Sequence, residues 1–144
     1  MRTIQSLALL ATLALLAACS SSGDLGRGKT GKSFVAPGYS YDQVWAAALA
    51  SVKETKGDQS LEVEKNLSIT KEDKAAGVIE ASTSISLWSW GEVVGVFITP
   101  AYDAPAYTIE VESLSKMKTN VFANNWEDEM IASIKKKLPA AQPY

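Results

Sequence analysis

Two glutamates, Glu110 and Glu112, occupy alternate positions in the run Tyr107-Thr-Ile-Glu-Val-Glu112. On a strand such residues point to one face, ~6.8 Å apart at 3.4 Å per residue. That separation suits an inverting glycosidase, in which one carboxylic acid protonates the leaving oxygen and the other carboxylate activates water. Alternate glutamates also keep one face of a strand wet, and Glu62 and Glu64 repeat the pattern. A catalytic acid needs apolar surroundings to hold its proton, and nothing aromatic flanks this pair, so the wet-strand reading is preferred. A second constellation, Gly23-Asp-Leu-Gly-Arg-Gly28-Lys29-Thr30, fits G-x-x-x-x-G-K-[ST], the pattern whose backbone N–H groups cradle phosphates. That chemistry requires a strand before it and a helix opening at the lysine. Here serines precede it and Pro37-Gly38 follows, so no nucleotide is expected. The chain has no His and a single Cys, which excludes His-based triads, an internal disulfide and the common Cys/His zinc sites. No metal or other cofactor is expected.

The single sulfur, Cys19, has its own chemistry. Arg2 supplies a positive start, and Ile4 to Ala18 is almost wholly apolar. That run is too short for an ordinary membrane span and ends in small residues, as a secretory signal does. Leu16-Ala17-Ala18-Cys19 resembles the lipobox of bacterial lipoproteins at all four positions. The resemblance implies cleavage before Cys19, a diacylglyceryl thioether on its sulfur and an acyl chain on the new amine. Several acyl chains on one residue make a stable anchor where a single chain is marginal. By the same resemblance, Ser20 in place of aspartate implies sorting to the outer membrane of a Gram-negative cell, with the domain facing the periplasm.

The elements that would carry these residues are legible in the hydropathy pattern. Residues 1–18 read as the signal peptide and 19–36 as the lipidated cysteine plus a flexible linker, since Ser20–Lys32 is rich in Ser, Gly and Lys. As a coil of about 17 residues it would span a little over ~20 Å. Residues 37–139 read as one α+β domain and 140–144 as a tail. Ser40-Tyr-Asp-Gln43 is a capping box, and Tyr41, Val44, Trp45, Ala48, Leu49 and Val52 form one helical face, with Gly57 as C-cap. Alternating segments follow around Leu61–Ile69, Val78–Leu87, Val93–Thr99 and Tyr107–Glu112. Val93–Thr99 is apolar enough for a strand covered on both sides. A last helix is capped by Asn124 or Asn125 and carries Trp126, Met130, Ile134 and Leu138 on one face. Its acidic start and Lys135-Lys136-Lys137 end match the helix dipole. The expected architecture is a two-layer sandwich: N-terminal helix, three- to four-stranded antiparallel sheet, C-terminal helix.

This order resembles the small helix-grip domains of bacterial envelope lipoproteins, such as those of the C subunit of the outer-membrane β-barrel assembly machine. The matching segments are Tyr41-Asp42-Gln43-Val44-Trp45-Ala46-Ala47, which opens a helix, and Gly77-Val78-Ile79-Glu80-Ala81, which opens a strand. These are core positions, so they argue fold and not function.

Trp88 and Trp90 flank Ser89 in a predicted strand-to-strand turn, where a fold buries two indoles poorly. They are the candidate partner-binding residues; Tyr102 belongs to the Pro100–Pro105 loop, expected at the opposite end of the intervening strand. With a net charge of −2 and no basic face, nucleic acid is not expected as a partner. The functional expectation is a lipid-anchored, periplasm-facing binding or scaffold module without enzymatic activity, partnered by the membrane through Cys19 and by another envelope protein. The alternatives are an inhibitor or immunity lipoprotein directed at a wall hydrolase or toxin, and a weak glycan hydrolase using Glu110 and Glu112.

Overall fold

The computed structural model describes residues 21–56, 66–84, 91–102, 104–116 and 126–140. Five strands form one antiparallel sheet: β1 (Lys32–Pro37), β2 (Ser68–Asp73), β3 (Val78–Ser82), β4 (Glu92–Pro100) and β5 (Ala106–Ser115), in the order β1-β5-β4-β3-β2. Two α-helices, α1 (Tyr41–Glu54) and α2 (Trp126–Lys137), and a short 3₁₀ turn (Ser22–Asp24) complete the described elements. The α+β class agrees with the sequence pattern, and so does the order helix, strands, helix from Tyr41 onward. The number of strands does not, because β1 precedes the first helix within the stretch read as linker.

α1 begins where its capping box predicts. The Ser40 hydroxyl accepts from the Gln43 N–H at 3.3 Å, and the Ser40 N–H donates to Gln43 Oε1 at 2.8 Å, satisfying two end groups reciprocally. The helix ends at Thr55, whose N–H donates to the Ser51 carbonyl; Gly57, Asn124 and Asn125 lie outside the described residues. Val44, Trp45, Ala48 and Val52 of α1 pack with Trp126, Met130 and Ile134 of α2 on Ile79, Ala81, Val94, Val96, Ile98, Ile109 and Val111 of the sheet. Both helices therefore cover one face of the sheet, and both tryptophans point into that interface.

The opposite face has a smaller apolar cluster of Val78, Val93 and Phe97, with Leu114 at its edge, and Leu25 covers it. This explains the unbroken apolar character of β4: Val93 and Phe97 face Leu25, while Val94, Val96 and Ile98 face the helices. Residues 21–36 are thus a packed part of the fold and not the ~20 Å coil their composition implies. Leu25 has an apolar site to fill, Phe34 and Ala36 pack toward the helices, and β1 finds its ladder on β5, with Phe34 opposite Ile109.

Gly77 ends the turn between β2 and β3 at φ +68°, and a Cβ there would lie 2.3 Å from the Ile98 carbonyl oxygen. Only glycine meets both demands. Over this turn, the Tyr41 hydroxyl donates to the Lys74 carbonyl, and its ring lies 5.5 Å from that of Tyr107. Burial pushes the Tyr41 phenol above its ordinary value, against the opposing pull of the Lys74 and Arg27 cations. The folded state therefore favours the neutral phenol. Its stabilising contribution is complete below the unfolded value of about 10 and is lost as pH rises through the higher folded value. Urea midpoints measured from pH 8 upward are expected to fall more steeply above pH ~10 in the native chain than in Tyr41→Phe.

Candidate functional site

Alternation along β5 sends Ile109 and Val111 toward the helices and Glu110 and Glu112 to the opposite face. The two carboxylates do share a side, as their spacing predicts. What they meet there is the chain's own glycine-rich segment, residues 21–31, lying across the sheet as a strap.

The strap opens with a short 3₁₀ turn, Ser22–Asp24. The Ser21 N–H donates to Asp24 Oδ2 at 2.6 Å. Leu25 then drops into the apolar cluster. Beyond it, backbone N–H groups point down at the carboxylates: Gly26 N–H donates to Glu112 Oε2 at 2.7 Å, and Gly28 N–H donates to both oxygens of Glu110 at 2.8 Å. The Thr30 hydroxyl donates to Glu112 Oε1 at 2.9 Å, with the Thr30 N–H 3.5 Å from the same oxygen. Arg27 bridges to the far side. Its guanidinium donates to the Ala76 carbonyl, lies 3.4 Å from the Gly77 and Ile98 carbonyl oxygens, and sits 5.8 Å from the centre of the Phe97 ring. Lys29 Nζ donates to the Asp24 carbonyl at 2.5 Å. At the exit into β1, a Cβ on Gly31 would come within 2.5 Å of the Val111 carbonyl oxygen, so the close approach of strap to sheet requires glycine there.

The segment that matches the phosphate-loop pattern thus directs alternate N–H groups, those of Gly26, Gly28 and Thr30, at anions. The anions are Glu110 and Glu112 of the same chain, and β1 follows where a phosphate site needs a helix. Glu112 is only 1% exposed. With the strap seated on them, the two carboxylates hold a segment of chain rather than face an open cleft. Charge-assisted bonds of this kind contribute about 1.5–3 kcal/mol each.

Sequence reasoning missed a third carboxylate, Glu92, buried on the helix side. Its Oε2 accepts from Trp126 Nε1 at 3.0 Å, and its N–H donates to Thr83 Oγ1 at 2.8 Å. A lone acid heading the apolar run Val93–Ile98 was the available signal, because burial at that position demands donors.

Cys19, Ser20, Trp88 and Trp90 lie outside the described residues. The described flanks of the tryptophan segment, Thr83 and Gly91, sit at the end of the sheet where Glu92 pairs with Ser115. Lys116 ties this end together, its N–H donating to the Gly91 carbonyl and its Nζ to that of Thr83. The Pro100–Pro105 loop lies at the other end, where Pro100 pairs with Tyr107. Thr83 and Gly91 therefore lie at the end of β4 opposite that loop, and Tyr102 at its tip is fully exposed. The lysine run at the end of α2 has local uses. Lys137 pairs with Glu54 of α1 at 2.8 Å, and Lys135 lies 4.8 Å from the Phe34 ring centre.

A groove of about 530 Å³ between the outer surfaces of α1 and α2 is lined by alanines, Gln43 and the Glu54–Lys137 pair. Among the described residues no three metal-ligating side chains cluster, and no helix is long and apolar enough to cross a membrane. No protein-family model matches the chain, and no curated protein matches it.

Proposed function

We propose that this chain is a lipid-anchored lipoprotein of the bacterial outer membrane whose domain faces the periplasm and acts as a binding or scaffold module. The observation that carries the proposal is the complete lipobox pattern Leu16-Ala17-Ala18-Cys19, set two residues before Ser21, the first described residue of the packed strap. The buried polar side chains fit this reading, because each is engaged in an internal hydrogen bond of the fold. Glu112 holds the strap, Glu92 holds Trp126, Thr83 holds the start of β4 and Ser51 bonds back along α1. Two helices on one face of an antiparallel sheet also support the likeness to helix-grip envelope domains.

An inhibitor or immunity lipoprotein is the second reading, favoured by Tyr102 standing fully exposed at a hairpin tip, a shape able to enter a foreign cleft. For a glycan hydrolase, Glu110 and Glu112 would have to shed the strap before meeting substrate.

The test is crosslinking in native envelopes with identification of what co-purifies. The native chain is expected to sediment with membranes and to carry acyl mass. Cys19→Ala should move it wholly to the soluble fraction, and Trp88→Ala/Trp90→Ala should stay anchored but lose the partner. A partner lost only with Tyr102→Ala would favour the inhibitor reading. Cys19→Ala remaining in the membrane would overturn the anchor, and an anchored chain with no partner would overturn the binding module.

A further inference from the structure

We infer that the strap face of the sheet is the membrane-contacting surface of this domain, with the lipid headgroup layer as its partner and the two helices turned toward the periplasm. The inference rests on the anchor proposed above and adds an orientation to it.

The first argument is reach. Ser21 is held by its bond to Asp24 in the turn that precedes Leu25, and Leu25 is buried against Val78, Val93 and Phe97. Only two peptide links separate Ser21 from Cys19, so the acylated residue stays within ~7 Å of the strap. The outer surface of the helix layer is on the order of 20 Å away across the sheet. Two links cannot carry the anchor around the sheet edge, whereas a coil of the length implied by composition would leave every orientation open.

The second argument is the character of the surface. Asp24, Arg27, Gly28, Lys29 and Thr30 are exposed along the strap, which carries two cations against one carboxylate. Beside it, Phe34 and Ala36 of β1 point to the helices, which leaves Val35 on the strap side, 57% exposed. Val35 and Tyr102 are the two exposed large apolar residues among the described ones. The Val35 side chain and the cations are what an interfacial surface presents to headgroups.

The experiment uses the full processed lipoprotein in vesicles of phosphatidylethanolamine and phosphatidylglycerol containing a headgroup-labelled quencher lipid. Acylation blocks the only native thiol, so a fluorophore can be placed at Lys29→Cys, Val35→Cys or Ala46→Cys, the last on the exposed side of α1. Quenching is expected to be several-fold stronger at the first two positions than at the third. Inserting about twelve Gly and Ser residues between Ser20 and Ser21 should erase most of that difference, because such a linker spans ~20 Å. Equal quenching at all three positions in the native-length chain, or stronger quenching at Ala46→Cys, would overturn the orientation while leaving the anchor intact. A mass spectrum without acyl chains, together with failure to float with vesicles, would overturn the anchor and the orientation with it.

Discussion

Replacing Glu112 by Ala should free the strap and accelerate trypsin cleavage after Arg27 and Lys29 by about two orders of magnitude. The scissile bonds report directly on the contact. The N–H of Gly28, next after Arg27, donates to Glu110, and the N–H of Thr30, next after Lys29, faces Glu112. Glu112 also accepts from Gly26 and from the Thr30 hydroxyl. Losing it orphans these donors and removes a charge-assisted pair, together about 3 kcal/mol, and proteolysis of a locally opened segment follows the open population. Glu112→Gln keeps one acceptor oxygen and should fall between the native chain and Glu112→Ala. Global unfolding should shift less than strap opening, since the helix-side core is untouched. If cleavage in Glu112→Ala stays at the native rate, the carboxylate is not what holds the strap.

Trp126→Ala carries the largest expected loss of global stability. The side chain is fully buried at the meeting point of α2, α1 and the sheet, and removing it should cost about 3–5 kcal/mol and lower Tm by roughly 15 °C or more. Two effects combine here, a cavity and the loss of the indole donor to Glu92 Oε2. Trp126→Phe separates them. It retains most of the apolar volume and loses the N–H, so the hydrogen-bond share alone should cost about 1–3 kcal/mol. Urea unfolding at an unchanged m-value measures both. If Trp126→Phe is as unstable as Trp126→Ala, the bond to Glu92 outweighs the packing.

The legibility of the chain follows the range of each interaction. The Ser40–Gln43 box and the Val44–Trp45–Ala48–Val52 stripe are local signals, and α1 forms where they lie. Glu127, Asp128 and Glu129 at one end and Lys135, Lys136 and Lys137 at the other frame α2 in the same way. β1 escaped because its partner is the last strand, so nothing within Lys32–Pro37 itself announces pairing. The strap escaped for a different reason. Apart from the Thr30 hydroxyl, its donors to the glutamates are backbone N–H groups, two of them on glycines with no side chain to read, and its apolar anchor is Leu25 alone. The match to the phosphate-loop pattern says nothing of this contact, since alternate N–H groups bind two separate carboxylates and those glutamates lie some eighty residues further on. Glu110 and Glu112 do share one face, but the reading of that face as wet fails at Glu112, which the strap buries, and no feature of β5 alone shows that cover.

The sheet order has a temporal consequence. β3, β4 and β5 pair consecutively, while β1 pairs with β5, joining Lys32 to Val111. Pairings this distant in sequence form late, because loop closure must precede the contacts that reward it. The strap depends on the same strand, since Glu110 and Glu112 sit on β5. Until synthesis has passed Ser115, the segment Ser21–Pro37 therefore has neither its ladder nor its carboxylates and is left unseated. Completion of β5 closes that interval, so the amino-terminal segment seats only when the carboxyl-terminal half of the sheet is in place.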